Sequence, residues 1–272
     1  MILHRSLFLP LVVFFLLSGN LAAQYYEMKP AENFGGKSQL QEFIAEEMVY
    51  PDQALLNKQE GKVIVSCIVD RDGNVKNPVI TRSVSPEIDR EALRVFRYLL
   101  WEPANHRGLP VDSETVVEFD FKVKRYKRII KKRGYDKIDY PFLPVDSTLK
   151  IYTLKQLNSS PQPVYRKEGM HFGNFVSENM VYPPAALKQD ISGTVELFFI
   201  VEPSGRASNI KVMKSVGGGC NEEAIRLLKL LRWKPGIKDN MAVRTEMTLS
   251  LTFNLADYEN LRYVPASNTN QF

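Results

Sequence analysis

Apolar and polar residues alternate strictly in two stretches of the chain, one near the middle and one near the end. Residues 116–123 read VVEFDFKV and residues 248–255 read TLSLTFNL. This period of two predicts strands with one buried face and one face in water. The buried positions are Val117, Phe119, Phe121 and Val123 in the first stretch and Leu249, Leu251, Phe253 and Leu255 in the second.

Two further strands are predicted ahead of residues 116–123. Residues 61–70 carry Val63, Val65, Cys67 and Val69 on one alternating face, where we expect Cys67 to be a small buried apolar residue. The sequence Asp-Arg-Asp-Gly-Asn that follows is typical of a tight turn. A hairpin to a second strand at residues 75–83 is therefore expected.

Three helices are predicted around these strands. Ser38 and Gln41 have the spacing of a capping box, which predicts a first short helix. Tyr50-Pro51 ends that helix and begins a second one at residues 51–58. Ser85-Pro86 pairs a cap residue with a proline at the first helical position, and apolar residues then recur at helical spacing.

The chain contains this order of residues twice. Met-Val-Tyr-Pro at 48–51 recurs at 180–183, and a shift of 132 positions aligns residues 43–123 with residues 175–255 without a gap. Such a period indicates a duplicated domain. Asn221 is then expected to begin the second copy of the third helix. The structural residues that coincide are Tyr50, Pro51, Gly61, Gly73, Trp101 and Pro103 with Tyr182, Pro183, Gly193, Gly205, Trp233 and Pro235.

These predictions define an α+β fold with two tandem units. Each unit is expected to be a three-stranded antiparallel sheet, in the order strand–strand–helix–strand, with a packed helix and short N-terminal helices. A right-handed crossover places the last strand at a sheet edge. We predict units at residues 32–124 and 158–256, a basic and then polar linker at 125–157, and a tail at 257–272. The alternative is one merged domain whose two sheets join edge to edge.

The first residues indicate export from the cytoplasm. Arg5 precedes an apolar run at residues 7–17, and Leu21-Ala22-Ala23 precedes Gln24, as in a cleaved signal peptide at residues 1–23. The run is shorter than the roughly 20 residues that span a bilayer, so an uncleaved anchor is the alternative. A composition of 44% hydrophobic and 25% charged residues excludes a disordered chain.

The spacing of the repeated residues resembles the C-terminal domain of TonB. Residues 32–51 are also similar to the entry segment of TonB-like proteins of the Bacteroidetes type. This resemblance implies a periplasmic protein-contact domain, in which an extended segment of an outer-membrane receptor, the Ton box, adds to the sheet edge as a strand. The pattern stands here at Tyr50, Pro51, Ala54, Gly61, Val63, Asp72, Gly73, Ser83, Glu91, Ala92, Trp101 and Pro103.

The resemblance also implies where protein binding takes place. The segment before each Tyr-Pro, residues 48–49 and 180–181, is a receptor contact in that family. We expect the second unit to bind more strongly, because Glu118 and Asp120 would repel acidic peptides and deter edge pairing in the first. The implied binding residues are Val116, Val117, Glu118, Phe119, Asp120, Phe121 and Lys122 in the first unit and Thr248, Leu249, Ser250, Leu251, Thr252, Phe253 and Asn254 in the second.

Three alternatives stay open on function and partners. The chain could be a structural envelope module that forms a homodimer through these strands, or an anchored energy transducer if residues 1–23 are retained. The basic residues 122–133, KVKRYKRIIKKR, could contact an envelope polyanion or form a solvated tether.

The sequence does not predict an enzyme, a cofactor, a metal site or a nucleic-acid partner. His106 and His171 have no counterpart in the other repeat and no nucleophile motif beside them. Asp70-Arg71-Asp72-Gly73 lacks the remaining ligands of a calcium loop. Only two cysteines are present, so disulfides cannot be the main support of the fold.

Overall fold

The computed structural model describes residues 28–256, so the predicted signal peptide and the predicted tail lie outside the described residues. The first unit contains β1 (Glu32–Asn33), α1 (Gly36–Glu47), α2 (Asp52–Leu56), β2 (Gly61–Val69), β3 (Val75–Arg82), α3 (Pro86–Phe96), β4 (Trp101–Glu102), β5 (Ala104–His106), β6 (Leu109–Val111) and β7 (Ser113–Phe121). Two elements follow it, α4 (Val123–Arg133) and β8 (Ile151–Tyr152). The second unit contains β9 (Gln162–Val164), α5 (Phe172–Asn179), α6 (Pro184–Lys188), β10 (Gly193–Val201), β11 (Ala207–Lys214), α7 (Cys220–Leu230), β12 (Arg232–Lys234), β13 (Gly236–Lys238) and β14 (Met241–Phe253).

The first unit is built on an antiparallel sheet of three strands in the order β3-β2-β7. Val63 lies opposite Phe119 in the register of β2 and β7, and both side chains are fully buried. Ile88 and Phe96 of α3 belong to the same buried cluster. The strand–strand–helix–strand order and the edge position of the last strand are therefore confirmed.

The second unit repeats this core and extends it into a curled mixed sheet. Its strand order is β11-β10-β14-β13, and β8 adds to β14 in parallel. β14 is longer than β7 because it also contains residues 241–243, which are equivalent to β6. In the first unit Asp112 lies between β6 and β7 and separates the two strands. The C-terminal part of the predicted linker thus contributes a strand to the second unit.

The coincident residues of the repeat occupy the same strained or buried places in both units. Gly73 and Gly205 have positive φ angles of 84° and 74°, and a Cβ on either would meet the carbonyl oxygen of Trp101 or of Trp233. Glycine and tryptophan therefore recur together because the turn lies directly against the tryptophan backbone.

The tyrosine of each Tyr-Pro pair is also a core residue. Tyr50 and Tyr182 are 1% exposed, and their rings pack edge-to-face on Phe121 and Phe253. Each hydroxyl donates to a backbone carbonyl nine residues later, that of Gln59 or of Ile191. A buried Tyr needs such an acceptor, so the motif fixes the path of the chain into the first long strand.

Several local predictions are wrong. Gly35, in the left-handed conformation, caps α1, and Ser38 lies inside that helix rather than at its start. Asn221 is the second residue of α7, which Gly219 caps. The last strand of the first unit ends at Phe121, and Val123 begins α4.

The basic segment 122–133 forms the helix α4 from residue 123 onward, with Lys122 as its N-cap, rather than a tether. Tyr126 is buried against Tyr50, and Arg133 donates at 2.9 Å to each of the carbonyls of Ala45, Glu46 and Met48. Arg133 thereby bonds carbonyls at the C-terminal end of α1, which an isolated helix leaves without partners. Contact of this helix with a polyanion stays a prediction.

The two units pack against each other through buried polar groups. Glu47 of α1 forms an ion pair at 2.9 Å with Arg206, and both side chains are under 10% exposed. Asn209 of β11 accepts from the Leu100 N–H at 2.9 Å, and Phe34 meets Phe198 edge-to-face. Across residues 28–256 no strand of one unit pairs with a strand of the other, so the merged-sheet alternative is wrong.

Within residues 28–256, no helix combines the length and the apolar character needed to cross a membrane.

Candidate functional site: the outer sheet edges

The two sheets present different outer strands. β11 is buried along residues 207–210, because the first unit covers it and the backbone at Gly35 approaches the Ile210 carbonyl closely. β3 is exposed but carries Lys76, Pro78 and Asn77, whose φ angle of 51° accompanies an irregular register with β2. Lysine, proline and bulges all discourage a further strand from pairing at an edge. β7 and β14 are the remaining edges.

The edge of β14 is open along its second half. β13 pairs with residues 241–243, and β8 pairs with Arg244 and Thr245. Among the described residues, no strand pairs with the outer side of β14 from residue 246 to residue 253. This stretch is long enough for an extended peptide of several residues.

The solvent-exposed face of this stretch is uncharged at its C-terminal end. Thr248, Ser250 and Thr252 are exposed, and the Thr252 hydroxyl lies 3.0 Å from the hydroxyl of Thr194 on β10. Leu251 and Phe253 face the core and are at most 2% exposed. The strand is thus anchored by its apolar face while its hydroxyl-bearing face lies in water.

The edge of β7 has the same position but different electrostatics. Glu118 forms an ion pair with Lys62 at 2.8 Å, and Asp120 lies 3.4 Å from Arg125 of α4. Binding at this face would remove water from paired charges, which opposes association. Helix α4 also follows directly after β7 and flanks its end, with Lys122 as the residue that precedes the helix.

The structure places most of the predicted binding residues on these two edges. Residues 116–121 lie in β7 and residues 248–253 lie in β14, whereas Lys122 and Asn254 come after the strands end. Val117, Phe119, Phe121, Leu251 and Phe253 are buried, so only their backbone groups can take part in strand addition. Whether these residues bind a protein stays a prediction.

Each unit also contains a carboxylate clasp that sequence reasoning missed. The Val181 N–H donates to Glu223 Oε1 at 2.7 Å, and Arg226 holds the same carboxylate with two bonds of 2.7 Å. Arg226 also donates to the carbonyl of Asn179. The clasp fixes the segment before the second Tyr-Pro, and Val181 is left 58% exposed.

The first unit repeats the clasp with Glu91 and Arg94. The Val49 N–H donates to Glu91 Oε1 at 2.7 Å, and Arg94 Nη2 donates to the Glu47 carbonyl at 2.7 Å. The sequence does contain a signal for this clasp, because Glu91 and Arg94 align with Glu223 and Arg226 in the repeat. A matched Glu and Arg one helical turn apart indicates a shared hydrogen-bonding role.

The carboxylate of Asp70, considered above for calcium, organises its own turn. It accepts the backbone N–H groups of Asp72 and Asn74 at 3.0 and 2.8 Å, and Lys76 lies 3.1 Å away. These bonds, first of all the one from Asn74, lower the pKa of Asp70 to about 2. No cluster of His, Cys, Asp and Glu suited to a metal ion occurs in the part of the chain that the structure describes.

An open sheet edge, present in both units, can take up an extended peptide as an added strand, which is one mode of protein binding. The model of the family of Gram-negative bacterial TonB protein C-terminal domains matches residues 46–123 and again residues 178–255. The chain belongs to this family, as the sequence pattern predicted. The family is a non-enzymatic protein-interaction module, and its domains are periplasmic.

Two solved structures are similar to parts of the chain. The Helicobacter pylori TonB C-terminal domain, solved by NMR in solution, is 17% identical, covers 31% of this chain and 78% of its own, and has a TM-score of 0.25. The Pseudomonas aeruginosa TonB C-terminal domain, also solved by NMR, is 22% identical, covers 38% of this chain and 93% of its own, and has a TM-score of 0.28. No curated protein sequence matches the chain.

Proposed function

We propose that this chain is a periplasmic TonB-like adaptor that binds outer-membrane TonB-dependent receptors and thereby supports transport across the outer membrane. The receptor segment, the Ton box, adds as an extended strand to the edge of β14. The observation that carries this proposal is the open edge at residues 246–253, whose exposed face carries only hydroxyl side chains from residue 248 to residue 252. Export by a cleaved signal peptide at residues 1–23 is part of the proposal.

Backbone hydrogen bonds supply the affinity at such an edge. Each bond contributes about 0.5–1.5 kcal/mol net, so four or five of them support binding that depends little on the peptide's side chains. The exposed hydroxyls of Thr248, Ser250 and Thr252 add further donors and acceptors next to the incoming strand. An extended segment of a flexible receptor terminus has the required form.

The second unit is the stronger binder in this proposal. A strand on β7 would lie beside the paired charges of Glu118 and Asp120, which need water or their partners. The equivalent residues on β14 are Ser250 and Thr252, which need no counter-ion. The clasp at Glu223 holds the neighbouring segment, with Val181 exposed, so that it can contribute an apolar contact.

The test is an isothermal titration calorimetry experiment in which a Ton-box peptide is titrated into the full chain. Ser250→Pro and Thr252→Pro remove backbone donors from the edge, and Ser250→Lys and Thr252→Lys leave the donors but add charge. The matched controls are the same changes at Glu118 and Asp120 of β7. Circular dichroism shows whether each variant is folded. If a proline variant is unfolded, the lysine variant at the same position is used instead.

Loss of binding in the folded β14 variants, with retained binding in the β7 controls, supports the proposal. Wild-type binding by every folded β14 variant contradicts it. Sedimentation over a concentration series measures the oligomeric state and tests the alternative of a structural module. That alternative predicts a dimer at every concentration that does not bind the peptide. N-terminal sequencing of the native protein separates the alternative of an anchored transducer, which predicts that residues 1–23 are retained.

A further inference from the structure

A cleft of about 470 Å³ lies between the two units, away from both sheet edges. One wall is formed by α1 and α4 of the N-terminal half and the other by β11, the end of α7 and β12 of the C-terminal half. None of its lining residues belongs to β7 or β14. A volume of this size is in the range of small-ligand sites and fits a peptide of two or three residues.

The cleft is predominantly cationic. Its two carboxyl groups, those of Glu42 and Glu46, are outnumbered by basic groups, and Glu42 is already paired with Lys229 at 2.6 Å. The basic residues that line the cleft are Lys132, Arg133, Arg206, Lys229 and Arg232.

Arg206 lines this cleft with a guanidinium that is only partly hydrogen-bonded. Arg206 is 7% exposed, its Nη2 donates to Glu47 Oε1, and its guanidinium lies 4.7 Å from the centre of the Tyr135 ring. Within residues 28–256, Arg206 Nε has no hydrogen-bond partner although it is fully buried. Buried donors in native proteins are almost always bonded, so the Arg206 guanidinium has donor capacity in the wall of the cleft that its bond to Glu47 does not use.

The remaining walls are apolar. Ala45 and Ile129 face the cleft from the N-terminal side, and Leu230 faces it from the C-terminal side with half of its surface exposed. The Tyr135 ring lies between the guanidinium groups of Arg133 and Arg206. An apolar group next to the anion would therefore be buried in the same cleft.

We propose that the inter-unit cleft binds the carboxylate of a short peptide that also carries an apolar side chain. Lys132 and Arg232 are exposed and bind the carboxylate, and Leu230 and Ile129 contact the apolar side chain. This site does not depend on receptor binding at β14. It requires both units, because each contributes part of the charge and part of the apolar wall.

The test measures binding of the dipeptide N-acetyl-Leu-Asp to the full chain. Chemical shifts of the backbone amides in NMR locate the site, and calorimetry gives the affinity. The uncharged control is N-acetyl-Leu-Asn amide, and inorganic phosphate tests for an unselective anion site. Arg232→Gln and Lys132→Gln remove the two exposed cations. Lys127→Gln is the matched control, since Lys127 is an exposed lysine of the same helix that lies outside the cleft.

The dipeptide should shift the amides of residues 129–135 and 229–232, and each cleft variant should weaken binding about tenfold, the effect of one lost charge contact. Lys127→Gln should bind like the wild type. The proposal is overturned if the cleft variants bind like the wild type, if the uncharged dipeptide or phosphate binds as tightly, if the shifts map to β14, or if the dipeptide does not bind.

Discussion

The carboxylate clasp of the second unit gives a stability prediction that can be worked from the structure. Glu223→Ala removes the acceptor of the Val181 N–H and the partner of Arg226. A hydrogen bond to a charged group contributes about 1.5–3 kcal/mol. The ion pair adds at most about 1 kcal/mol, because the Arg226 side chain is 43% exposed and solvent screens it. We expect the variant to lose about 3 kcal/mol of unfolding free energy.

Glu223→Gln separates the two contributions. The amide oxygen can still accept the Val181 N–H, whereas the amide NH₂ faces Arg226 in place of a carboxylate oxygen. This variant should therefore lose only about 1 kcal/mol. Glu91→Ala is the matched variant in the first unit, and we expect a loss similar to that of Glu223→Ala since the bonds are the same length.

The two tryptophans make the measurement specific to each unit. Trp101 lies in the first unit and Trp233 in the second, and the chain has no others. In a Trp101→Phe background, the urea unfolding curve followed by fluorescence reports the second unit alone. An unchanged m-value shows that the variants lose stability rather than compactness. A loss below about 1 kcal/mol for Glu223→Ala, or equal losses for Ala and Gln, would refute the role of the backbone acceptor.

Three further predictions concern single residues. Gly205→Ala should cost about 2 kcal/mol in the same urea assay, because φ is +74° and the new Cβ meets a carbonyl oxygen. The Asn74 N–H lowers the pKa of Asp70 from 3.8 to about 2, so this carboxylate stabilises the fold above about pH 4 and that stabilisation is lost as the pH falls towards 2; the Asp70→Asn variant should lack this acid-dependent loss. Cys67 and Cys220 are buried, which raises the pKa of both thiols and that of Cys67 to about 11, so neither should react with a thiol reagent at pH 8 until the chain unfolds.

Each of these predictions has a clear contrary result. A Gly205→Ala protein as stable as the wild type would mean that the turn can move away from the tryptophan backbone. Equal acid profiles for the wild type and Asp70→Asn would mean that the turn bonds do not favour the ionised carboxylate. Rapid reaction of either thiol in the folded protein would contradict its burial.

The core of each unit could be predicted because its residues carry strong local patterns. The period of two in β2 and β7 and the Ser85 cap of α3 each have a local physical cause, and the structure contains all three. The family pattern followed from residues such as Gly73, whose role depends on one turn and one neighbouring strand.

The features that sequence reasoning missed depend on distant contacts. Helix α4 was not predicted because most of its residues are basic, and only a few apolar residues mark a buried face. Tyr126 and Ile130 form that face, which packs on the first unit. Glu47 and Arg206 look like surface charges in the sequence, and only the packing of the two units buries them together. The pairing of β8 with β14 joins residues more than ninety positions apart, and two residues have too little pattern to predict it.

The most direct test of edge-strand binding is amide hydrogen exchange of the full chain with and without a saturating Ton-box peptide. Strand addition puts the outward amides of β14 into new hydrogen bonds, so exchange within residues 246–253 should slow while β7 and β3 stay unchanged. Slowed exchange confined to the inter-unit cleft or to β3, with residues 246–253 unaffected at saturation, would contradict binding at the β14 edge.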